Sequence, residues 1–181
     1  MQPEKKSSII NILRDYLALI GVAGVIVVLD QITKSMVRAN LLLGEAWSPW
    51  PWLEPYVRIV HWKNTGVVFG MLQGFNDVFS ILAIVVAIAI LYYFPQVPRE
   101  DRLLRLAMGM QFGGAVGNLI DRVTIGWVTD FISVGNFPVF NVADSCISIG
   151  VAILVLGVWM KDRRQKAGLE GAPDPVSEES A

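Results

Sequence analysis

The sequence has few charged residues, a single histidine and a single cysteine, and each shortage excludes a class of protein. Only 17% of its 181 residues are charged, whereas an ordinary soluble domain has roughly 25%. The hydrophobic content of 54% and the mean hydropathy of +0.51 indicate a membrane protein. Because the formal net charge is −1, phosphate backbones would find little attraction, and we expect no nucleic acid among the partners.

The lone cysteine and histidine exclude several chemistries. Cys146 has no second cysteine to pair with, so helix packing and lipid must hold the fold. His61 is the only histidine and no HExxH motif occurs, so the sequence offers no protease-type zinc site. No GxSxG motif supports a serine triad, and no Walker or Rossmann loop is present. If the chain is a hydrolase, carboxylates must carry the reaction, and His61 is interpreted as structural.

Four long apolar segments, each bounded by charged residues, run through the chain. They cover residues 16–36, 78–94, 106–120 and 141–160. A helix needs about 20 residues to cross the hydrocarbon layer, so the second segment fits as it stands and the others fit if their polar ends are included. We therefore predict a membrane all-α fold, with four transmembrane helices in one domain that spans residues 1–166.

Lysine and arginine residues set the predicted orientation of these spans. Three basic clusters precede the first span, separate the second from the third, and follow the fourth: Lys5, Lys6, Arg14; Arg99, Arg102, Arg105; Lys161, Arg163, Arg164, Lys166. By the positive-inside rule, their common side is cytoplasmic and includes both termini. The first span is interpreted as a retained helix. The acidic residues 167–181 are expected to form a disordered cytoplasmic tail.

Two loops, at about residues 38–65 and 121–140, then face outward. The segment AWSPWPWLEP (46–55) contains three tryptophans and three prolines. Indole rings favour the headgroup region, so we expect this segment to lie along the membrane surface. The segments YVRIVHW and WVTDFISV alternate their side chains as strands do. The sequence therefore predicts a small extracytoplasmic β element and an interfacial Trp-rich segment.

Polar residues from all four spans gather at this outward boundary. A carboxylate at the edge of hydrocarbon costs a few kcal/mol, which favours a functional reason for keeping one there. The residues concerned are Asp30, Gln31, Thr33, Lys34, Asn64, Thr65, Asn118, Asp121, Arg122, Asn141 and Asp144, with Asp130 just above them.

Two pairs of charged residues at this boundary have a structural reading and a functional one. Asp30 and Lys34 form an i, i+4 pair that either neutralises charge at a helix end or positions substrate. Asp121 and Arg122 either form an interfacial ion pair, or Arg122 anchors a lipid or a backbone carbonyl. The sequence leaves these alternatives open.

The amides and glycines have simpler expected roles. Asn64 and Asn118 are expected to bind exposed backbone where helices end. The glycine-rich segment GGAVG (113–117) is interpreted as a close helix-packing face, since a phosphate loop would need a soluble strand–turn–helix setting.

Asp130 and Asp144 differ from the other carboxylates because neither has a basic residue within four positions. Two carboxylates held close together cannot both ionise at low cost, so one keeps a proton. That mixed state can activate water at a peptide carbonyl and protonate the departing amine. Ordinary capping of a turn and a helix is the structural alternative.

Five blocks of sequence resemble, in order and spacing, those of the bacterial lipoprotein signal peptidases, also called signal peptidase II. They are DQITK (30–34), NTGVVFG (64–70), GGAVGNLIDR (113–122), VTDFI (128–132) and FNVADSCI (140–147). In one departure, Val67 and Val68 stand where members of the family usually have alanines. We expect this departure to adjust the fit of the substrate and to leave the chemistry intact.

The resemblance implies a four-helix aspartyl peptidase of the bacterial inner membrane, with Asp130 and Asp144 as the catalytic pair. It implies a diacylglyceryl-modified prolipoprotein substrate, cleaved before its lipidated cysteine at the extracytoplasmic face. It also implies no metal and no organic cofactor, and we expect a monomer in contact with membrane lipid. The implied supporting residues are Asp30, Lys34, Asn64, Gly66, Asn118, Asp121, Arg122 and Asn141.

A small proton-coupled transporter or a lipid-binding membrane protein is the alternative function. Buried carboxylates relay protons in such carriers. A carrier needs access from both faces, however, whereas here the charges gather at one boundary and no span is broken at its middle. The alternative therefore explains the pattern less well.

Overall fold

The computed structural model of the chain describes residues 4–66 and 76–170, so Val67 and Val68 lie outside the described residues. The chain is mostly helical and carries one small sheet. Its elements are, in order, α1 (Glu4–Asn40), β1 (Ala46–Trp47), β2 (Val57–Asn64), α2 (Asn76–Tyr93), a short 3-10 helix (Phe94–Gln96), α3 (Arg102–Ile125), β3 (Val128–Val134) and α4 (Val142–Glu170).

Three helical segments are long and apolar enough to cross a membrane: Ile10–Asn40, Asn76–Gln96 and Val142–Met160. At most 22% of their apolar windows is buried inside the protein. Apolar surface of this extent needs lipid around it. Three of the four predicted spans are thereby confirmed by length and composition. Helix α3 coincides with the third predicted segment. Its polar residues lower its hydropathy, so length and composition alone do not identify it as a membrane span.

Helix α3 packs against α1, α2 and α4, and its glycines permit close approach to two of these neighbours. A Cβ on Gly113 would lie 3.0 Å from Cα of Ala23 in α1, and one on Gly114 would lie 2.5 Å from the carbonyl oxygen of Ala143 in α4. A side chain at Gly114 would force the neighbouring backbone to move, and one at Gly113 would require its neighbour to shift by a few tenths of an ångström. The predicted packing role of residues 113–117 is therefore confirmed.

The three strands form one antiparallel sheet in the order β1-β2-β3. The strand predictions for YVRIVHW and WVTDFISV are confirmed by β2 and β3. Trp62 pairs with Asp130 and Asn64 with Val128, and the register shifts between Ile59 and Trp62.

The segments that precede and follow strand β3 in the sequence fix its position. Gly126, at a φ of 82°, ends α3 in the left-handed conformation and turns the chain towards β3. The backbone N–H groups of Phe131 and Ile132 both donate to the carbonyl oxygen of Phe140, just before α4. These links bring Asp130 on β3 and the first turn of α4 to the same level of the molecule.

The other end of the bundle contains a small apolar core and an ion-pair cluster. Leu19, Ile90, Phe94 and Met108 pack together there. Asp15 of α1 accepts hydrogen bonds from Arg99 Nε at 3.0 Å and from Arg105 Nη2 at 2.7 Å. These contacts tie the connection between α2 and α3, together with the start of α3, to α1.

Two terminal or peripheral predictions have mixed outcomes. Helix α4 continues to Glu170, so residues 167–170 are helical where we expected the disordered tail to begin, and residues 171–181 lie outside the described part of the chain.

The Trp-rich segment forms β1 and a series of turns, with the Trp50 and Trp52 rings stacked at a centroid distance of 6.0 Å. Both tryptophans are exposed.

Candidate active site

Most of the polar residues predicted at the outward boundary form one buried cluster. Its members come from α1, α3, β3 and the start of α4, which are separated in sequence by up to 113 positions where they touch. The side chains with almost no exposure are Asp30, Lys34, Asn118, Asp121, Thr129, Asp130 and Asn141.

Asp130 lies on β3 with an amide donor at each carboxyl oxygen. Asn64 Nδ2 donates to Oδ2 at 2.8 Å, and Asn141 Nδ2 donates to Oδ1 at 2.7 Å. Among the described residues, no lysine or arginine forms a salt bridge with Asp130. Burial and, next in size, the negative charge of Asp144 raise the pKa of Asp130 from 3.8 to about 7. This carboxyl therefore holds a proton part of the time at neutral pH.

Asp144 lies in the first turn of α4, where it also has a structural role. Asn118 Nδ2 donates to its Oδ1 at 2.7 Å. The backbone N–H of Asn141 donates to Asp144 Oδ2 at 3.2 Å, and the N–H of Asp144 donates to Asn141 Oδ1 at 2.9 Å. This reciprocal pair is a capping box that satisfies two N–H groups at the start of the helix. Capping, the structural alternative for Asp144, is therefore present alongside the contact with Asn118.

Asn118 and Asn141 connect the two carboxyls to Lys34. The Oδ1 atom of Asn118 accepts from Lys34 Nζ at 2.9 Å and from Asn141 Nδ2 at 3.1 Å. Because its oxygen faces these two donors, the NH2 group of Asn118 is directed at Asp144. The expected backbone contacts are wrong for Asn118, whose side chain bonds only side chains among the described residues. They are found for Asn64, whose Oδ1 accepts from the N–H of Gly66 at 2.9 Å.

The predicted pair of Asp30 and Lys34 is confirmed, with Nζ and Oδ2 at 2.8 Å. Asp30 Oδ1 also accepts the backbone N–H of Ala143 at 3.0 Å, so α1 helps to cap α4. A Cβ on Gly117 would lie 2.7 Å from Asp30 Oδ2. The close approach of α3 to this carboxylate therefore requires a glycine there.

The ion-pair reading of Asp121 and Arg122 is wrong. Asp121 instead pairs with Lys34 and Arg38, each at 3.4 Å, and its Oδ2 accepts the backbone N–H of Thr129 at 2.9 Å. Arg122 points elsewhere, with its guanidinium carbon 5.8 Å from the centre of the Phe79 ring. Arg38 and Thr129 were not predicted as site residues. Arg38 lies four positions after Lys34 and thus on the same face of α1, which is a signal that could have found it.

A cleft of about 540 Å³ opens beside this cluster. Asp144 lines the cleft, and Asp130 is bonded to Asn64, which also lines it. The polar lining includes Asn64, Asn118, Arg122 and Asp144, and the apolar lining includes Phe79, Phe137, Phe140 and Ile147. The chemistry that this arrangement can perform is proton transfer by two carboxyls next to an apolar binding surface.

Within residues 4–66 and 76–170, no three His, Cys, Asp or Glu side chains come together in a group that could hold a metal ion. His61 lies away from the cleft lining, with Nδ1 2.9 Å from the carbonyl oxygen of Leu41. Its structural interpretation agrees with that contact.

Comparison with known proteins identifies the family. The model of the family described as signal peptidase (SPase) II matches residues 22–160. The lipoprotein signal peptidase of Shouchella clausii is 38% identical over 146 residues, covering 80% of this chain and 95% of the relative. That of Halalkalibacterium halodurans is 39% identical over 149 residues, covering 80% and 94%.

A solved structure agrees with this result. A bacterial membrane enzyme determined by the in meso method at 2.3 Å superposes with a TM-score of 0.74 at 33% identity, covering 82% of this chain and 90% of that one. The resemblance that five sequence blocks indicated is thereby confirmed. The chain belongs to the signal peptidase II family, whose members are aspartic-type membrane peptidases.

Proposed function

We propose that this chain removes the signal peptide from diacylglyceryl-modified prolipoproteins by cleaving before the lipidated cysteine, with Asp130 and Asp144 as the catalytic residues. The observation that carries the proposal is the setting of the two carboxyls. They lie on different elements, both bind Asn141, and their other side-chain hydrogen bonds come from the amides of Asn64 and Asn118. Because these amides are uncharged, they do not force both carboxyls to ionise, and the pair can share a proton.

The pair can perform both proton transfers of peptide hydrolysis. In the first step the ionised carboxyl takes a proton from water as its oxygen attacks the scissile carbonyl carbon, and the protonated carboxyl donates to the carbonyl oxygen. In the second step the C–N bond breaks, the leaving nitrogen receives a proton from the carboxyl that accepted one, and the other carboxylate takes back a hydroxyl proton from the tetrahedral intermediate, which leaves as a carboxylic acid. A pKa near 7 for Asp130 suits a group that must both hold and release a proton.

The surrounding residues then have distinct proposed roles. Asn64, Asn118 and Asn141 hold the carboxyls in position, and Gly66 fixes Asn64 through its N–H. Asp30, Lys34 and Asp121 form the charged base beneath them.

Arg122, which lines the cleft next to Asp144, has the proposed role of binding a backbone carbonyl or lipid oxygen of the substrate. Its guanidinium faces the Phe79 ring and makes no hydrogen bond or salt bridge with residues 4–66 or 76–170, which supports that contact.

The membrane placement belongs to the same proposal. Helix α3 has 24 residues, about 36 Å at 1.5 Å per residue, which supports its role as the fourth span of an inner-membrane protein. With four spans, the three basic clusters favour an orientation with both termini in the cytoplasm and the cleft at the extracytoplasmic face.

At that face the exposed Trp50 and Trp52 would rest on the membrane surface. A signal peptide with lipid on its cysteine could then enter the cleft sideways, from the bilayer, into a monomeric enzyme.

The test compares wild-type protein with Asp130→Asn and Asp144→Asn in detergent, using a purified, lipidated prolipoprotein and a gel shift to measure cleavage. Each substitution keeps the shape of the side chain and removes its acid function. We expect turnover to fall by at least about 10³-fold while substrate still binds. The matched control is Asp77→Asn, because Asp77 is an exposed carboxylate at the start of α2.

Turnover within a few-fold of wild type in either catalytic variant would refute the dyad and direct attention to Asp30 and Asp121. A wild-type chain that binds the lipidated substrate without cutting it would favour the lipid-binding alternative. A proton-coupled carrier would instead move protons across vesicle membranes, which the peptidase proposal does not predict.

A further inference from the structure

Arg38, at the outward end of α1, reaches into the base of the candidate active site. Its Nη1 donates to Thr129 Oγ1 at 3.0 Å and lies 3.4 Å from Asp121 Oδ1, while Nη2 donates to Ser35 Oγ at 3.1 Å. The Arg38 side chain is 26% exposed, whereas Asp121 is 1% exposed. The guanidinium therefore bridges a helix, a buried carboxylate and a buried strand.

Two of the three partners of Arg38, Thr129 and Asp121, hold the strand segment that carries Asp130. Thr129 immediately precedes Asp130, is fully buried, and is bonded at two points: its hydroxyl accepts from Arg38 and its backbone N–H donates to Asp121 at 2.9 Å. Asp121 belongs to α3, so Thr129 is anchored to α1 and to α3 at once. Movement of this residue would move the Asp130 carboxyl.

The charges of the cluster also need Arg38. Asp30 and Asp121 are two buried carboxylates, and Lys34 lies close to both, at 2.8 Å and 3.4 Å. Without a second cation Asp121 would share one lysine with Asp30 and would keep an uncompensated buried charge. Asp121 would then hold the N–H of Thr129 less firmly, or Lys34 would shift away from Asn118.

We propose that Arg38 is a positioning residue of the peptidase, which fixes Asp130 by holding Thr129 and neutralising Asp121. The inference rests on the proposed function, because it concerns the geometry of the catalytic pair. Arg38 touches neither Asp130 nor Asp144 by any hydrogen bond or ion pair within the described residues, so its effect on catalysis must pass through Thr129 and Asp121.

The proposal predicts a loss of turnover without a matching loss of binding. In Arg38→Met and in Thr129→Val, which keeps the branched shape and removes the hydroxyl, we expect kcat to fall about tenfold and KM to change less than about twofold. Arg38→Lys and Thr129→Ser keep the charge and the hydroxyl and should recover kcat to within about threefold of wild type. Arg58→Met is the matched control, because Arg58 is an exposed arginine on the neighbouring strand β2.

A double-mutant cycle tests whether the two residues act through one contact. If they do, Arg38→Met combined with Thr129→Val should lower kcat no more than about twofold below the worse single variant. Multiplied effects of about a hundredfold would overturn the proposal, as would single variants with wild-type kcat. Thermal unfolding of each variant in detergent would reveal a general loss of the fold, which the conservative variants must not show.

The same assay separates this inference from the proposed function. Wild-type protein and Asp130→Asn are measured alongside the variants. Cleavage by wild type, none by Asp130→Asn and unchanged kcat in Arg38→Met would overturn the role of Arg38 alone. Absence of cleavage by wild type would overturn both.

Discussion

Buried carboxylates occur at both ends of the helix bundle, but their neighbours differ. Asp15, at the end near the α2–α3 connection, is bonded by two guanidinium groups, from Arg99 and Arg105. Asp130 and Asp144, at the other end, are bonded by amides of Asn64, Asn118 and Asn141. Asp130 is fully buried, Asp15 keeps 8% of its exposure and Asp144 is half-buried, so the two ends differ in burial as well as in the identity of their donors.

The donors decide whether a buried carboxylate can hold a proton. A guanidinium favours the ionised form and makes the carboxylate a permanent anchor, as Asp15 is for the α2–α3 connection. An amide donates a hydrogen bond without bringing a charge, so desolvation prevails and the proton is retained more easily. Asp30 and Asp121, although close to the proposed catalytic pair, also contact cations: Lys34 lies 2.8 Å from Asp30 and Arg38 lies 3.4 Å from Asp121.

Removing one of the amides that bond Asp130 and Asp144 should give the largest effect and is the strongest test of this difference between the two ends. Alanine favours a helix, so Asn118→Ala should leave α3 intact. The substitution removes both the hydrogen-bond donor to Asp144 and the acceptor for Lys34. We expect kcat to fall about 10²-fold, since a misplaced carboxyl transfers protons poorly. Lipidated prolipoprotein cleavage in detergent measures the effect. Asn136→Ala, at an exposed loop asparagine, is the control, and a kcat equal to that of the control would show that the amide is dispensable.

The pH dependence of turnover gives a second, smaller effect. Asp130 has a pKa of about 7, so the singly protonated pair is lost above that pH and kcat should fall about tenfold for each further pH unit. A kcat that stays constant from pH 7 to about pH 9 would contradict the shared proton.

The same group affects stability with a definite sign. Its pKa is raised from 3.8 to about 7 on folding, so the folded state binds more protons between these values. Its contribution to the free energy of unfolding is therefore fully present below about pH 4 and is lost as the pH rises to about 7. Asp130→Asn should remove this part of the pH dependence from thermal unfolding curves, and an unchanged pH profile would argue against the shift.

The last effect belongs to the other end of the bundle and concerns stability alone. Asp15→Asn leaves Arg105, which is 11% exposed, without its carboxylate. We expect unfolding in detergent to become easier by about 2 kcal/mol, while kcat changes less than about twofold. Glu100→Gln, at an exposed carboxylate in the same region, is the control. A large loss of kcat in Asp15→Asn would show that the two ends are not independent.

Much of the architecture could be predicted from sequence because it depends on local patterns. Apolar runs located the helices, alternation located β2 and β3, and glycines 113–117 marked a close packing face. The site was predictable in outline because its residues lie in five recognisable blocks. Asp15 escaped prediction because its partners are 84 and 90 positions away along the chain, and no local pattern specifies such a contact. For Arg38, the spacing from Lys34 indicates the face of α1 but not the partners, which are 83 and 91 positions away.

By itself, the sequence determined that this is a membrane protein with polar groups collected at one boundary, because hydropathy and charge order are properties of the chain. It also determined the family, through residues that recur in order. Only the tertiary structure decided which carboxylates meet cations and which meet amides, since α1, α3, β3 and α4 must pack before these groups touch. This pairing separates the carboxylates that anchor the fold from the carboxyl that can hold a proton. A neighbouring positive charge favours the ionised form, whereas an uncharged amide allows burial to favour the protonated form.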